Sequence, residues 1–144
     1  MEYLPSRRIN VTPFNLVEPD DNIYAELSSR FGEYNSAHST WNWQSYCVIY
    51  QVKEKTVAGG RGIINMGALE VRSLWVDENL RGDGIGGRLL TAIENEARKR
   101  GATRAMLYTY NWQAQKFYER AGYAVFSQFE FPDGFQRIDF QKEL

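Results

Sequence analysis

The feature that most limits how this chain can fold is a change of hydrophobic period across Arg81-Gly82-Asp83-Gly84-Ile85-Gly86-Gly87. Before it, Leu69 to Val76 is a run of strand-forming residues. After it, Ile85, Leu89, Ile93 and Ala97 recur at helical spacing, while Arg88, Asn95, Arg98 and Lys99 fall on other faces. Gly101 stands where a left-handed residue often closes a helix, and Arg104 to Tyr110 then reads as a second strand. Strand, helix and strand in that order imply a right-handed crossover between parallel neighbours. The junction places backbone N–H groups at a helix N-terminus, where they lack intrahelical acceptors and carry partial positive charge. That environment suits a phosphate or pyrophosphate, and glycines leave it unobstructed.

The same letters satisfy G-x-G-x-x-G through Gly82, Gly84 and Gly87, the pattern of dinucleotide-binding folds. Those folds need the glycines tight against the strand and an acidic residue closing the next strand. Here Asp77-Glu78-Asn79-Leu80-Arg81 intervenes, and the next strand ends Tyr108-Thr109-Tyr110. No Gly-Lys-Ser/Thr follows, which removes the triphosphate loop. A turn that merely allows close packing is the remaining alternative, and the loop by itself does not choose between the two.

The rest of the chain frames this unit. A first strand is expected around Ile9 to Val11. A short helix is expected from Asp20 to Phe31, where Ile23, Leu27 and Phe31 lie four apart. Strand-formers then dominate from Tyr46 to Val76, with breaks at Val52 to Thr56 and at Asn65-Met66-Gly67 that suit two hairpins. Past Tyr110, Ala114, Phe117, Tyr118 and Ala121 define a second helix that Gly122 ends. A terminal hairpin follows, Tyr123 to Phe131 and Phe135 to Phe140 around Pro132-Asp133-Gly134. The expectation is one α+β domain over residues 1–144, with a mixed central sheet of about six or seven strands flanked by helices.

Composition removes several function classes. Seventeen basic and 18 acidic residues leave a net charge of −1, without the basic excess that a phosphate-backbone binder needs, so nucleic acid is not an expected partner. Cys47 and His38 are the only residues of their types, which excludes an internal disulfide and a Cys/His zinc site. No window is apolar enough to span a bilayer, and a cytoplasmic location is the default. Trp41 and Trp43 are expected to pack in the core, with an acceptor pocket as the other reading.

Two segments carry a resemblance to the GNAT N-acetyltransferase family, the acyl-CoA N-acyltransferase fold. Ser73-Leu74-Trp75-Val76-Asp77 followed by Arg81-Gly82-Asp83-Gly84-Ile85-Gly86 resembles its cofactor motif, a strand followed by Arg/Gln-x-x-Gly-x-Gly/Ala and a helix. Asn111 to Tyr123 resembles the family's Ala-x-x-Phe-Tyr-x-x-x-Gly-Phe/Tyr helix. The two cover roughly residues 69–126 in the family's order. The resemblance implies acetyl-CoA as co-substrate, no metal, and a cleft where two parallel strands splay apart. Pantetheine would pair with the backbone of Leu74, Trp75 and Val76. Gly82, Gly84 and Gly86 would approach the pyrophosphate beside Ile85, with Arg81 and Asp83 contributing mainly backbone N–H groups.

The resemblance further implies direct attack of an amine on the thioester. Tyr118 matches the family tyrosine that protonates the departing thiolate, although periodicity alone reads it as a helix anchor. Glu70 is the candidate base, because strict alternation puts Glu70, Arg72, Leu74 and Val76 on one face of the strand; an ion pair with Arg72 is the alternative. Asn111 is a candidate cofactor contact or helix cap. The acceptor is expected to be a small-molecule amine. A protein lysine or N-terminus, a non-catalytic CoA-binding regulatory domain and a pure interaction module are the alternatives. Dimers are common among such enzymes, so a homodimer is an expectation that no residue pattern localises.

Overall fold

The computed structural model describes Phe14, residues 16–18 and residues 20–144. The strand expected at Ile9 to Val11 lies outside the described residues. Among them, six strands form one sheet: β1 (Gln44–Val52), β2 (Lys55–Asn65), β3 (Ala68–Val76), β4 (Arg104–Tyr110), β5 (Ala124–Glu130) and β6 (Gln136–Glu143), in the order β1-β2-β3-β4-β6-β5. Three helices accompany them: α1 (Asp21–His38), α2 (Ile85–Lys99) and α3 (Gln115–Arg120). Only β3 and β4 pair in parallel, as the strand–helix–strand order requires; every other pairing is antiparallel.

Helix α1 starts where Asp20 accepts a hydrogen bond from the Ile23 amide at 2.8 Å. It continues past Phe31 and Gly32 to His38, whose ring stacks on Tyr34 at 4.4 Å and whose Nδ1 pairs with the Tyr34 carbonyl at 2.7 Å. These contacts extend the helix beyond the expected end, yet none of its residues is buried. The first hairpin closes through Lys53 and Glu54, both at positive φ, the backbone that a two-residue turn between twisted strands demands.

The core lies between α2 and the sheet. Leu89, Leu90, Ile93 and Ala97 of α2 meet Ala58, Ile64, Leu69, Val71, Ala105, Leu107, Ile138 and Phe140. The expected apolar face of α2 is therefore the one it buries. The helix can lie this close because β2 presents glycine beneath it. A Cβ on Gly60 would stand 2.5 Å from Ile93 Cδ1 and 2.8 Å from the Ser73 carbonyl oxygen. The backbone neighbour cannot rotate away, so Gly60→Ala is expected to lose about 1–3 kcal/mol of stability, read by denaturant unfolding.

One departure from regular alternation shapes the rest of the molecule. Gly62 faces Val71 but Arg61 faces Ser73, leaving Arg72 as an extra residue in β3. The expectation that Glu70, Arg72, Leu74 and Val76 share a face is thereby corrected. Leu74 and Val76 join Leu69 and Val71 against the core, whereas Arg72 and Ser73 are both exposed. Strict alternation failed because the bulge shifts the side-chain phase by one residue.

Candidate active site

The bulge coincides with the place where the sheet opens. Strands β3 and β4 pair only over Ala68–Arg104, Leu69–Ala105 and Glu70–Met106, and then diverge. Beyond that fork, residues 71–76 remain paired to β2 on one edge. Their other edge presents backbone N–H and C=O groups to a cleft of about 1010 Å³. Such an edge binds an extended amide-bearing ligand by main-chain hydrogen bonds.

The other end of the cleft is the head of α2. Its first backbone hydrogen bond in this turn runs from Arg88 N to Gly84 O at 3.1 Å, so the amides of Ile85, Gly86 and Gly87 have no intrahelical acceptor. Gly82 and Gly84 both have positive φ, 89° and 78°, the backbone that a side chain would strain. A Cβ on Gly82, Gly84 or Gly87 would meet nothing within 4 Å, so the space beside the loop is open. Gly86 differs: its Cβ would touch the Phe117 ring at 3.4 Å, so this glycine also lets α3 close against α2. These residues fit a diphosphate, since they offer N–H donors without intrahelical acceptors, and the one carboxylate of the loop, Asp83, does not line the cleft.

Most residues expected at the site are brought together. Leu74, Trp75, Val76, Arg81, Gly82, Gly84, Ile85, Gly86 and Tyr118 all line the cleft. Arg81 does so in a different role from the one expected. Its amide donates to Glu78 O at 3.3 Å and its Nε to Val76 O at 3.0 Å, so both are engaged in tying the loop to the end of β3. Glu70, Asp83 and Asn111 do not line the cleft. Glu70 instead pairs with Arg72, Oε1 to Nε at 2.8 Å. Asn111 is neither in the cleft nor a helix cap: its amide donates to Gln136 O at 3.0 Å and its Oδ1 accepts from Gln136 N at 3.1 Å. It joins the end of β4 to the start of β6, while Ala114 begins α3 without a side-chain cap. Trp41 and Trp43 pack on each other at 5.5 Å and line no part of the cleft; Trp43 is half exposed, so the core expectation is not met.

Tyr118 sits on α3 between Phe117 (5.0 Å between ring centroids), Tyr123 (6.1 Å) and Phe140 (6.0 Å). Burial among these rings raises its pKa above the usual tyrosine value, because the phenolate would lose hydration. The phenol is therefore protonated at neutral pH.

The sequence reading missed the wall opposite β3. Tyr108, Tyr110 and Trp112 line the cleft, Tyr110 stacking on Trp112 at 4.6 Å and 8°. Arg137 lies over the Tyr108 ring at 3.9 Å and pairs with Asp139 at 2.8 Å. Alternation along β4 held the signal for the two tyrosines, since Ala105, Leu107 and Thr109 take the buried positions. Gln113 was also missed; its Oε1 accepts from Thr109 Oγ1 at 2.9 Å and from the Tyr110 amide at 3.1 Å, fixing the turn after β4. Among the described residues no group of three or more acidic, His or Cys side chains is placed to hold a metal, and no helix is long and apolar enough to cross a membrane.

Comparison with known proteins bears directly on this cleft. Residues 16–123 match the Acetyltransferase (GNAT) family. The chain is similar to a blasticidin-S acetyltransferase of Streptomyces morookaense, 36% identical over 91 residues that span 61% of this chain and 67% of the relative. It superimposes on a crystal structure of an acetyltransferase from Bacillus cereus with a TM-score of 0.77 at 28% identity, over 90% of this chain and 98% of the other. An aminoglycoside 6'-N-acetyltransferase complexed with coenzyme A shares the fold, with a TM-score of 0.62 at 19% identity over 69% of this chain and 72% of that one. With a forked parallel strand pair, a glycine turn at a helix head and a family match across both, this chain belongs to the GNAT family and is an acetyl-CoA-dependent N-acetyltransferase.

Proposed function

We propose that the chain transfers the acetyl group of acetyl-CoA to a primary amine of a small molecule, by direct attack with both substrates bound. Acetyl-CoA supplies the activated thioester. The observation that carries the reading is the convergence, in one cleft, of the unpaired edge of residues 71–76 and the free amides at the head of α2. The strand edge would hold the pantetheine amides; the amides of Gly82 to Gly87, Asp83 included, would hold the diphosphate. In the transfer a C–N bond forms as the C–S bond breaks. Tyr118 gives its proton to the departing sulfur, and the amine loses one. Glu70, at the last paired position before the fork, is our candidate to take that proton through a water, since only its Oε1 is engaged by Arg72.

A small acceptor is supported by the half-exposed aromatic rings beside the cleft, Trp75 and Trp112, and by similarity to a protein named for acetylating blasticidin S. Titration calorimetry with acetyl-CoA should show one site per chain with micromolar affinity or better. A screen of amines reading free thiol should then find turnover on small acceptors. Absence of any heat with acetyl-CoA rejects the reading. Turnover confined to protein lysines or N-termini rejects the small-molecule part alone.

A further inference from the structure

Each strand of the fork carries a large ring on the sheet face away from α2. Trp75 alternates with Leu74 and Val76, which pack on the core, and Tyr108 alternates with the buried Leu107 and Thr109. Both rings therefore stand on that outer face, and both line the cleft. Tyr108 comes two residues after Met106, the last residue of β4 paired to β3, so it stands where the strands begin to part. Arg137 covers one side of its ring at 3.9 Å and is itself held by Asp139, Nε and Nη2 to Oδ1 at 3.1 and 2.8 Å. The ring is thus braced, yet it remains exposed. Trp75 is half exposed, and among the described residues no other aromatic ring packs on it. Charge narrows what such a cleft accepts. Arg72, Arg81 and Arg120 line it, and among the described residues no carboxylate does. The acids beside the fork, Glu70 at the last paired position and Asp139 across from Tyr108, are each ion-paired with an arginine. A polycation would find no unpaired negative charge there, and an amino sugar would set hydroxyls against ring faces that offer them no partners.

We propose that Trp75 and Tyr108 form a ring-binding subsite for the acceptor, so that the acetylated amine is the single amino group of a flat aromatic or heteroaromatic molecule. The proposal rests on the acetyltransferase reading and names its substrate class. A flat ring held against Tyr108 brings an amine on a short side chain to the fork, where β3 and β4 separate and the thioester would lie. Contact between rings stabilises beyond the area it buries and strands no polar group.

The test follows release of free thiol with benzylamine and phenethylamine as acceptors. They are compared with cyclohexanemethylamine, the saturated counterpart of benzylamine, and with spermidine and glucosamine. Expected for the wild type is a kcat/KM for the aromatic amines at least about tenfold above the other three. Tyr108→Leu, which fills much of the same space without a flat ring, is expected to raise KM for the aromatic amines about tenfold. It should also shrink their advantage over cyclohexanemethylamine to within about threefold. Tyr108→Phe keeps the ring and should keep the wild-type preference, which separates ring contact from any role of the hydroxyl. The inference is overturned if spermidine, glucosamine or cyclohexanemethylamine is used as efficiently as the aromatic amines, if no aromatic amine turns over, or if Tyr108→Leu retains the wild-type preference. Calorimetric binding of acetyl-CoA separates the two levels: retained binding in any of these cases leaves the acetyltransferase reading standing, and lost binding in the wild type removes both.

Discussion

Tyr118→Phe is expected to lower kcat by on the order of 100- to 10,000-fold while leaving the affinity for acetyl-CoA within about twofold. The size follows from the role. A thiolate leaving without a proton donor must depart as the charged species into a half-buried cleft, and the phenol that would protonate it is removed. The selectivity follows from the packing. Phe retains the ring that meets Phe117, Tyr123 and Phe140, so the wall of the cleft and the fold both survive. The pH profile adds a second readout. Burial raises the Tyr118 pKa above its usual value, so the wild-type acid stays protonated through neutral and mildly alkaline pH. Loss of rate from deprotonating this group is therefore expected only above the ordinary tyrosine range, and the variant should lack that alkaline limb. Steady-state kinetics across pH, beside calorimetry, check both statements. A variant that binds acetyl-CoA and turns over like the wild type would show that Tyr118 is only a packing residue and that another group or water protonates the departing sulfur.

The sequence made the site's frame legible because that frame is set by local rules. Hydrophobic period located α2 and β4, Gly101 and Gly122 marked helix ends with φ of 89° and 91°, and the glycine turn announced an open helix head. What escaped was whatever depended on one residue of phase or on a partner distant in sequence. Strict alternation misplaced Leu74 and Val76, since nothing in Val71-Arg72-Ser73-Leu74 signals the bulge that the opposing strand imposes. Asn111 looked like a cap because it stands just before a helix; the residue that claims it is Gln136, on the far hairpin. Helix α1 shows the opposite failure: Ile23, Leu27 and Phe31 form a sequence-perfect stripe, yet Leu27 and Phe31 stay exposed.

Glu94→Ala is expected to lose about 3 kcal/mol of stability, toward the lower end of what breaking a buried ion pair costs. Glu94 is the one charged side chain on the buried face of α2, 3% exposed. Its carboxylate accepts from Tyr123 Oη at 3.0 Å and from Lys142 Nζ at 3.1 and 3.0 Å, with Arg98 at 3.8 Å. These partners come from the turn after α3 and from β6, so one carboxylate ties three parts of the fold together. Burial, and after it the proximity of Glu94, push the Tyr123 pKa up, so the phenol remains a donor at every working pH. Alanine leaves that phenol and the ammonium of Lys142 without an acceptor. The loss stops near the lower end because Lys142 is 22% exposed and Arg98 41%, so water can solvate part of what is stranded. For a chain of this length the melting temperature should fall by roughly 10 °C. Glu94→Gln, which keeps an acceptor for Tyr123 but removes the charge facing Lys142, should fall between the two. Adding Lys142→Met to Glu94→Ala should recover part of the loss, because the nearer cation is then no longer stranded and Arg98, 41% exposed, stays solvated. If all three variants melt with the wild type, the network contributes nothing and α3 is held by its aromatic packing alone. Because Tyr123 also packs against Tyr118, the same substitution should slow turnover in the molecules that remain folded, through a loosened acid rather than an absent one.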